Sequence, residues 1–200
     1  MLRLRSWALS LLVFACVLSA KAQFYKLHQA DVSVGATGQL TTAVTDGNGN
    51  HQLTTDSTGI LASLRDHPLA WAGVEVNYGY NRFTEELVNQ HNLASATVPV
   101  NVHEVSGAYM FHPHFKRLQP FVNIGGGGLD FVPITPENHQ WRGFGLTELG
   151  FDIPTSNPHF GFRVQGRALI YRGPNFNIPE VGTSKWVVTT EPSLSAYIRF

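Results

Sequence analysis

The sequence predicts an all-β protein, specifically an eight-stranded antiparallel, up-and-down transmembrane β-barrel. Charged residues make up 14% of the chain and aromatic residues 12%, whereas a typical soluble domain carries about 25% charged residues. Hydrophobic residues recur with a period of two and show little helical periodicity. The alternating segments number eight, and most reach the roughly 9–11 residues that a tilted strand needs to cross a bilayer.

The composition excludes several other classes of protein. Fourteen Lys and Arg residues balance fourteen Asp and Glu residues, so the chain lacks the basic field of a nucleic-acid binder. A hydrophobic content of 43% argues against intrinsic disorder. Cys16 is the only cysteine, which excludes a disulfide framework and a cysteine-based zinc site. We therefore expect no cofactor and no metal.

Residues 1–22 have the organisation of a cleaved secretory signal peptide. Arg3 and Arg5 precede an apolar run from Trp7 to Leu18, and Ala20-Lys21-Ala22 matches an A-x-A cleavage site. The apolar run is shorter than a membrane span of about 20 residues. Cleavage would leave residues 23–200 as the barrel domain, with eleven basic and fourteen acidic residues.

The first three predicted strands show the alternation most clearly. Asp31–Val44 places aliphatic residues on one face and small polar residues on the other, and Asp46–Asn50 forms a hairpin tip. Gln52–Arg65 returns antiparallel to it. After a turn, Trp71–Phe83 alternates aliphatic and aromatic residues with Glu and Asn. Three strands follow one another without an intervening helix, so the connections are antiparallel.

Five further strands complete the barrel. They are predicted at Val98–His112, Phe121–Val132, Trp141–Ile153, Phe160–Tyr171 and Trp186–Phe200. Compact connections alternate with longer ones, which include Thr84–Thr97, Pro133–Gln140 and Arg172–Lys185. Short periplasmic turns and longer external loops are typical of outer-membrane barrels.

Aromatic residues fall near both ends of the predicted strands and predict two interfacial belts. We expect the periplasmic belt to comprise Trp71, Tyr109, Phe111, Phe121, Phe151, Phe162 and Phe200. We expect the external belt to comprise Tyr78, Tyr80, Phe83, Phe131, Trp141, Tyr171 and Trp186.

Charged residues in mid-strand predict an ionic network inside the barrel. Isolated charges in a narrow lumen are costly, so they must pair. The predicted network comprises Arg65, Glu75, Glu104, Glu148, Arg163, Arg167, Glu191 and Arg199, four acids and four bases that would form a neutral plug. It would act either as a gate in a narrow pore or as a core that holds the barrel together. The facing of Asn123 and Asp130 on the fifth strand stays open.

The last strand carries a family resemblance. Leu194-Ser195-Ala196-Tyr197-Ile198-Arg199-Phe200 resembles the C-terminal assembly signal of bacterial outer-membrane barrels. Gly73–Tyr80 and Pro120–Gly128 resemble the third and fifth strands of the outer membrane protein beta-barrel domain family. The chain thus resembles OmpA-like eight-stranded, porin-like barrels. The resemblance implies a place in the outer membrane of a Gram-negative bacterium and an assembly role for Phe200.

These observations predict a structural or narrow porin-like role, without enzymatic activity. The expected partners are outer-membrane lipid, lipopolysaccharide and the barrel-assembly machinery, and the barrel is expected to be a monomer that binds no nucleic acid. One alternative is a lipid-modifying outer-membrane enzyme, although no histidine has a serine two residues later. The other is a secreted lipocalin-like barrel, which would carry its apolar face inside.

Overall fold

A computed structural model describes residues 30–91, 94–113, 118–136, 138–178, 183 and 185–200. The signal peptide predicted at residues 1–22 lies outside the described residues and stays a prediction. No helix within the described residues is long and apolar enough to cross a membrane.

The described chain forms ten β-strands. They are β1 (Ala30–Thr41), β2 (Val44–Thr45), β3 (Asn50–Thr54), β4 (Ser57–Asp66), β5 (Ala72–Asn89), β6 (Ser95–Phe111), β7 (Gln119–Pro133), β8 (Gln140–Pro154), β9 (Phe160–Arg172) and β10 (Trp186–Arg199).

Eight of these strands form a closed antiparallel wall. Each of β4 to β10 pairs with its neighbour in sequence, and β1 pairs with both β4 and β10. The short strands β2 and β3 extend the wall at one end, where β3 pairs with β5. The second predicted strand is therefore divided into β3 and β4, with a break at residues 55 and 56. The predicted eight-stranded barrel is confirmed.

We name the two ends of the barrel by their connections. The turn end carries the connections from β4 to β5, from β6 to β7 and from β8 to β9. The loop end carries β2, β3 and the connections from β5 to β6, from β7 to β8 and from β9 to β10.

The two faces of the wall differ in polarity. Outward-facing aliphatic side chains such as Val34, Ile60 and Leu149 are 55%, 57% and 68% exposed. Inward-facing residues of the same strands, such as Ser33, Ser63 and Glu148, are buried. A lipocalin-like barrel would have the opposite arrangement, so the structure favours an apolar surface against lipid.

Two inward-facing glycines of β7 allow close contact with β6. A Cβ atom on Gly125 would lie 2.1 Å from the backbone oxygen of Gly107, and one on Gly127 would lie 2.1 Å from that of Val105. A side chain at either position would force β6 and β7 apart, which explains why this part of β7 consists of glycines.

The β5–β6 hairpin is longer than predicted. We expected a loop at Thr84–Thr97, but β5 continues to Asn89 and β6 begins at Ser95, with Val88 paired to Ser95. The alternation continues through the predicted loop because Glu85 and Leu87 face inward and are buried. Because the consecutive residues Glu85 and Glu86 are both acidic, the alternation of the strand is not apparent from the sequence at this point.

The predicted aromatic belts are partly wrong. Phe83, Phe121, Phe131 and Tyr171 are buried inside the barrel, because they share strand faces with inward-facing residues. Trp71, Trp141 and Trp186 are 59%, 62% and 61% exposed on the outer surface. The outer belts therefore contain fewer rings than we expected, and the lumen contains more.

Candidate functional site

The lumen consists of two layers that differ in chemistry. Near the turn end lies an ionic layer, comprising Asp31, Arg65, Glu75, Glu104, Glu148, Asp152, Arg163, Arg167, Glu191 and Arg199. Near the loop end lies an apolar layer. It comprises Phe83, Leu87, Val98, Val100, Val102, Leu129, Phe131, Phe144, Leu146, Leu169, Tyr171, Phe176 and Val187.

Arg167 joins three strands in the upper part of the ionic layer. Its Nη1 atom donates hydrogen bonds to Glu191 Oε2 at 2.6 Å and to Glu104 Oε2 at 3.1 Å. Its Nε atom lies 3.6 Å from Glu148 Oε2. One guanidinium therefore faces carboxylates from β6, β8 and β10, which fixes these strands relative to β9.

Arg65 occupies the centre of the ionic layer. Its Nε atom donates to Glu75, and its Nη2 atom donates to Glu148 Oε1 at 3.0 Å. The guanidinium carbon lies 4.0 Å from the centroid of the Phe121 ring. A planar cation that stacks on an aromatic face and pairs with carboxylates is well suited to a buried position.

Arg163 and Arg199 complete the ionic layer toward the turn end. Arg163 Nε donates to Asp152 Oδ1 at 2.7 Å, and Arg163 Nη2 donates to Asp31 Oδ1 at 2.9 Å. Arg199, whose side chain is 19% exposed, lies 3.6 Å from Asp31 Oδ2 and 3.4 Å from Asp152 Oδ2. The eight residues predicted for the network thus all lie in this layer.

The predicted network is incomplete, because Asp31 and Asp152 also lie in the ionic layer. Six carboxyl groups therefore face four guanidinium groups. Two neutral amide groups also bind one of these carboxylates. The Nδ2 atoms of Asn77 and Asn123 donate hydrogen bonds to Glu75 at 2.5 and 2.9 Å. Strand alternation could have identified both aspartates, because Asp31 shares a strand face with the buried Ser33 and Asp152 shares one with Glu148. On β7, Asn123 faces inward with the buried Phe121, and Asp130 faces outward.

A small cavity lies at the turn end of the ionic layer. It measures about 20 Å³, enough for one water molecule, and its lining includes Arg65, His67, Met110, His112 and Phe121. His67 Nε2 lies 3.1 Å from Asp31 Oδ2, and His67 Nδ1 lies 3.2 Å from His112 Nε2. These side chains tie the 67–71 turn to the start of β1 and the end of β6.

Residues 173–178, here called the lid segment, cover the apolar layer at the loop end. The Phe176 side chain is buried in the layer, although its backbone φ is 46°. The Asn175 backbone N–H donates to Gln140 Oε1 at 3.1 Å, and Gln140 Nε2 donates to Asn175 Oδ1 at 2.8 Å. Gln52 Nε2 lies within hydrogen-bond distance of the Pro174 carbonyl, at 3.4 Å. The lid segment is therefore held by polar contacts from β3 and β8.

Glu85 is a buried carboxyl group beneath the lid segment. On the outer face of β5, the continuous run of apolar residues ends at Tyr80, and Arg82, Thr84 and Glu86 follow. Glu85 therefore lies beyond the apolar band. Burial raises the pKa of Glu85 to about 7, and hydrogen bonds from Gln52 and Thr54 oppose this shift. No cation lies within ion-pair distance of Glu85 among the described residues.

The charged side chains of the ionic layer pair with one another across the lumen. Within the described ranges, no group of three or more His, Cys, Asp or Glu side chains is arranged to hold a metal ion. The carboxylates of the ionic layer are engaged by arginines, which leaves them poorly placed to transfer protons to a substrate.

The fold is similar to solved outer-membrane barrels. Neisserial surface protein A superposes with a TM-score of 0.61 at 10% identity, covering 86% of this chain and 97% of that chain. Ail, the attachment invasion locus protein of Yersinia pestis, gives 0.52 at 12% identity, covering 86% and 98%. The outer membrane protein AlkL, solved in lipid bilayers, gives 0.51 at 15% identity, covering 86% and 90%. No protein-family model and no curated protein matches the sequence. The similarity establishes the fold.

Proposed function

We propose that this protein is a monomeric bacterial outer-membrane barrel whose lumen is closed and whose role is structural rather than conductive. The supporting observation is the filling of the lumen by two successive layers. The side chains of Arg65, Arg163 and Arg167 are fully buried among carboxylates. Above them the rings of Phe131 and Phe176 are buried against aliphatic side chains. Ions crossing the barrel would have to displace both layers.

The outer surface fits a bilayer. Exposed aliphatic residues form a continuous band, and exposed tryptophans lie at its edges, as they do at membrane interfaces. Arg82 and Arg172 are exposed on the outer face just above this band, where they can meet the phosphate groups of lipopolysaccharide. The exposed ring of Phe200 at the end of the closing strand is available to the barrel-assembly machinery.

Planar-bilayer recording tests the closed lumen. We expect the purified protein to give no single-channel current at moderate voltage. The matched pair of variants is Phe176→Ala, which opens the apolar layer alone, and Phe176→Ala combined with Arg167→Ala, which opens both. Only the double variant should conduct. Steady current through the unmodified protein would instead support the narrow porin-like function.

A further inference from the structure

Two buried guanidinium nitrogen atoms near the turn end donate no hydrogen bond to the described residues. Arg65 is fully buried, and its Nη1 atom lies 3.7 Å from Asp152 Oδ1, which is beyond hydrogen-bond distance. The Nε atom of Arg199 is also buried without an acceptor in the described part of the chain. Buried charged donors are normally satisfied by the protein, by water or by an ion. These two atoms therefore indicate a place for an acceptor that the described side chains do not supply.

The two arginines line the same cavity, the one of about 20 Å³ at the turn end. This volume exceeds the roughly 10–15 Å³ that a water molecule needs, so the cavity has room for a single atom or ion. Met110 and Phe121 form the apolar part of its lining, so a polar ligand must be held from the side of the arginines. The Arg199 side chain is 19% exposed, and the cavity therefore lies close to solvent. An ion can reach it without crossing the ionic layer.

The described lining of the cavity carries a net positive charge. It contains two guanidinium groups, from Arg65 and Arg199, and one carboxylate, from Asp152. Behind the lining, Asp31 is paired with Arg163 at 2.9 Å, and this pair adds no net charge. The excess of carboxyl groups in the ionic layer lies deeper, where one guanidinium faces carboxylates from three strands. A single negative charge in the cavity would balance the lining.

The acceptors of the lining already receive hydrogen bonds. Both oxygens of Asp152 accept from Arg163, at 2.7 and 3.1 Å. Gln119 Oε1 accepts from Arg199 Nη1 at 3.3 Å. Both ring nitrogens of His67 lie within hydrogen-bond distance of neighbouring side chains. A buried water molecule would need acceptors for its own hydrogens, whereas an anion needs only donors, so the lining suits an anion better than water.

We propose that this cavity binds one monatomic anion of the size of chloride, held between Arg65 Nη1 and Arg199 Nε. A polyatomic anion such as phosphate is larger than the cavity, and a cation would be repelled by the two guanidinium groups. Arg65 lies on β4 and Arg199 on β10, and both residues are register partners of Asp31 on β1. The bound anion would therefore link β4 to the closing strand β10 across β1.

This site goes beyond the structural role and is compatible with it. The anion would enter from the turn end and stabilise the closed barrel, because it binds the folded state and has no site in the unfolded chain. It would not have to pass through the ionic layer or the apolar layer. Anion binding and conductance are therefore separate properties, and a failure of one leaves the other standing.

Urea unfolding in a nonionic detergent tests the proposal. The probes are sodium chloride and sodium gluconate at equal ionic strength, since gluconate is too large for the cavity. We expect the equilibrium constant for unfolding to be about tenfold smaller in chloride, which is the effect of a ligand present at about ten times its dissociation constant. Arg199→Gln removes one donor and one positive charge from the lining and should abolish the difference between the two salts. Lys185→Gln is the matched control, because it removes an exposed cation at the loop end and should keep the tenfold difference.

A second measurement does not depend on the folding of a variant. Crystals of the unmodified protein grown with sodium bromide should show an anomalous scattering peak in the cavity, in contact with both Arg65 and Arg199. Circular dichroism checks that Arg199→Gln and Lys185→Gln are folded. Equal unfolding constants of the unmodified protein in the two salts, the same salt difference in both variants, or a cavity that holds only water in the bromide crystals would overturn the proposal.

Discussion

Arg167 illustrates how a single buried cation organises the lumen. Its guanidinium contacts Glu104 and Glu191 and lies near Glu148, and its side chain is fully buried. Removal of this cation would leave an acidic cluster without its main counter-charge. The cost of an uncompensated buried charge exceeds the net value of the original ion pair, so the effect of a substitution should be large.

We therefore expect Arg167→Ala to lower the free energy of unfolding by about 3–5 kcal/mol. Urea unfolding in detergent micelles, followed by tryptophan fluorescence, measures this change. Arg82→Ala is the matched control, because Arg82 is exposed on the outer face and its removal should change the stability by no more than about 0.5 kcal/mol. A loss of only about 1 kcal/mol for Arg167→Ala would indicate a water-filled lumen.

Glu85 should make the stability depend on pH. Its pKa in the folded protein is raised from 4.5 to about 7 by burial, so the folded state holds a proton that the unfolded state releases. Its contribution to stability is therefore complete below about pH 4.5 and is lost as the pH rises to about 7.

We expect the unmodified protein to lose up to about 3 kcal/mol, relative to Glu85→Gln, between pH 4.5 and pH 8. Urea unfolding of both proteins across this range gives the difference directly. Glu86→Gln should follow the unmodified protein, because its carboxyl group is exposed. Parallel pH profiles for the unmodified protein and Glu85→Gln would show that the buried carboxyl does not hold this proton.

At the scale of strands and loops, the sequence predicted the alternation of polar and apolar residues along each strand. It did not predict the residues that depart from this alternation. The alternation along β1 separated its small polar residues from its aliphatic residues, and the structure places the polar face inward. The extension of β5 was missed because Glu85 is polar but faces an apolar layer. The burial of Phe176 was not predicted either. The neighbouring Pro174 and Asn175 are held by Gln52 and Gln140, which are distant in the sequence.

The closing strand β10 is the element most open to a test of assembly. It pairs with β1 along most of its length, and the Phe200 backbone N–H donates to the Ala30 carbonyl at 3.0 Å. The Phe200 ring is 64% exposed on the outer surface, so the folded barrel does not need it for packing. We predict instead that Phe200 acts during insertion.

Deletion of Phe200 should reduce the amount of protein inserted into the outer membrane while secretion across the inner membrane continues. Fractionation at native expression level, with immunodetection of the periplasmic and membrane pools, measures both steps. Phe162→Ala removes another exposed outer ring and should insert normally. Normal insertion of the deletion variant would exclude an assembly role for this residue.

At the scale of the whole molecule, the barrel separates functions between its faces and its ends. The outer face provides the contact with lipid, and the ionic layer connects seven strands through four arginines. The fold class could be predicted because a closed wall imposes the same alternation on every strand. The division of the lumen into two layers could not be predicted. The alternation along a strand indicates which residues face inward, but it does not indicate where along the barrel axis residues of different strands meet.

A closed wall cross-linked by buried ion pairs should resist denaturation by detergent. The protein should fractionate with outer membranes and migrate faster on SDS gels when unheated than after boiling. The shift arises because the compact barrel stays folded in SDS until heat opens the hydrogen-bonded wall and the ionic layer. Arg167→Ala should convert to the slow form at a lower temperature than the unmodified protein, whereas Arg82→Ala should not. Recovery of the protein in the soluble periplasmic fraction would contradict the membrane location itself.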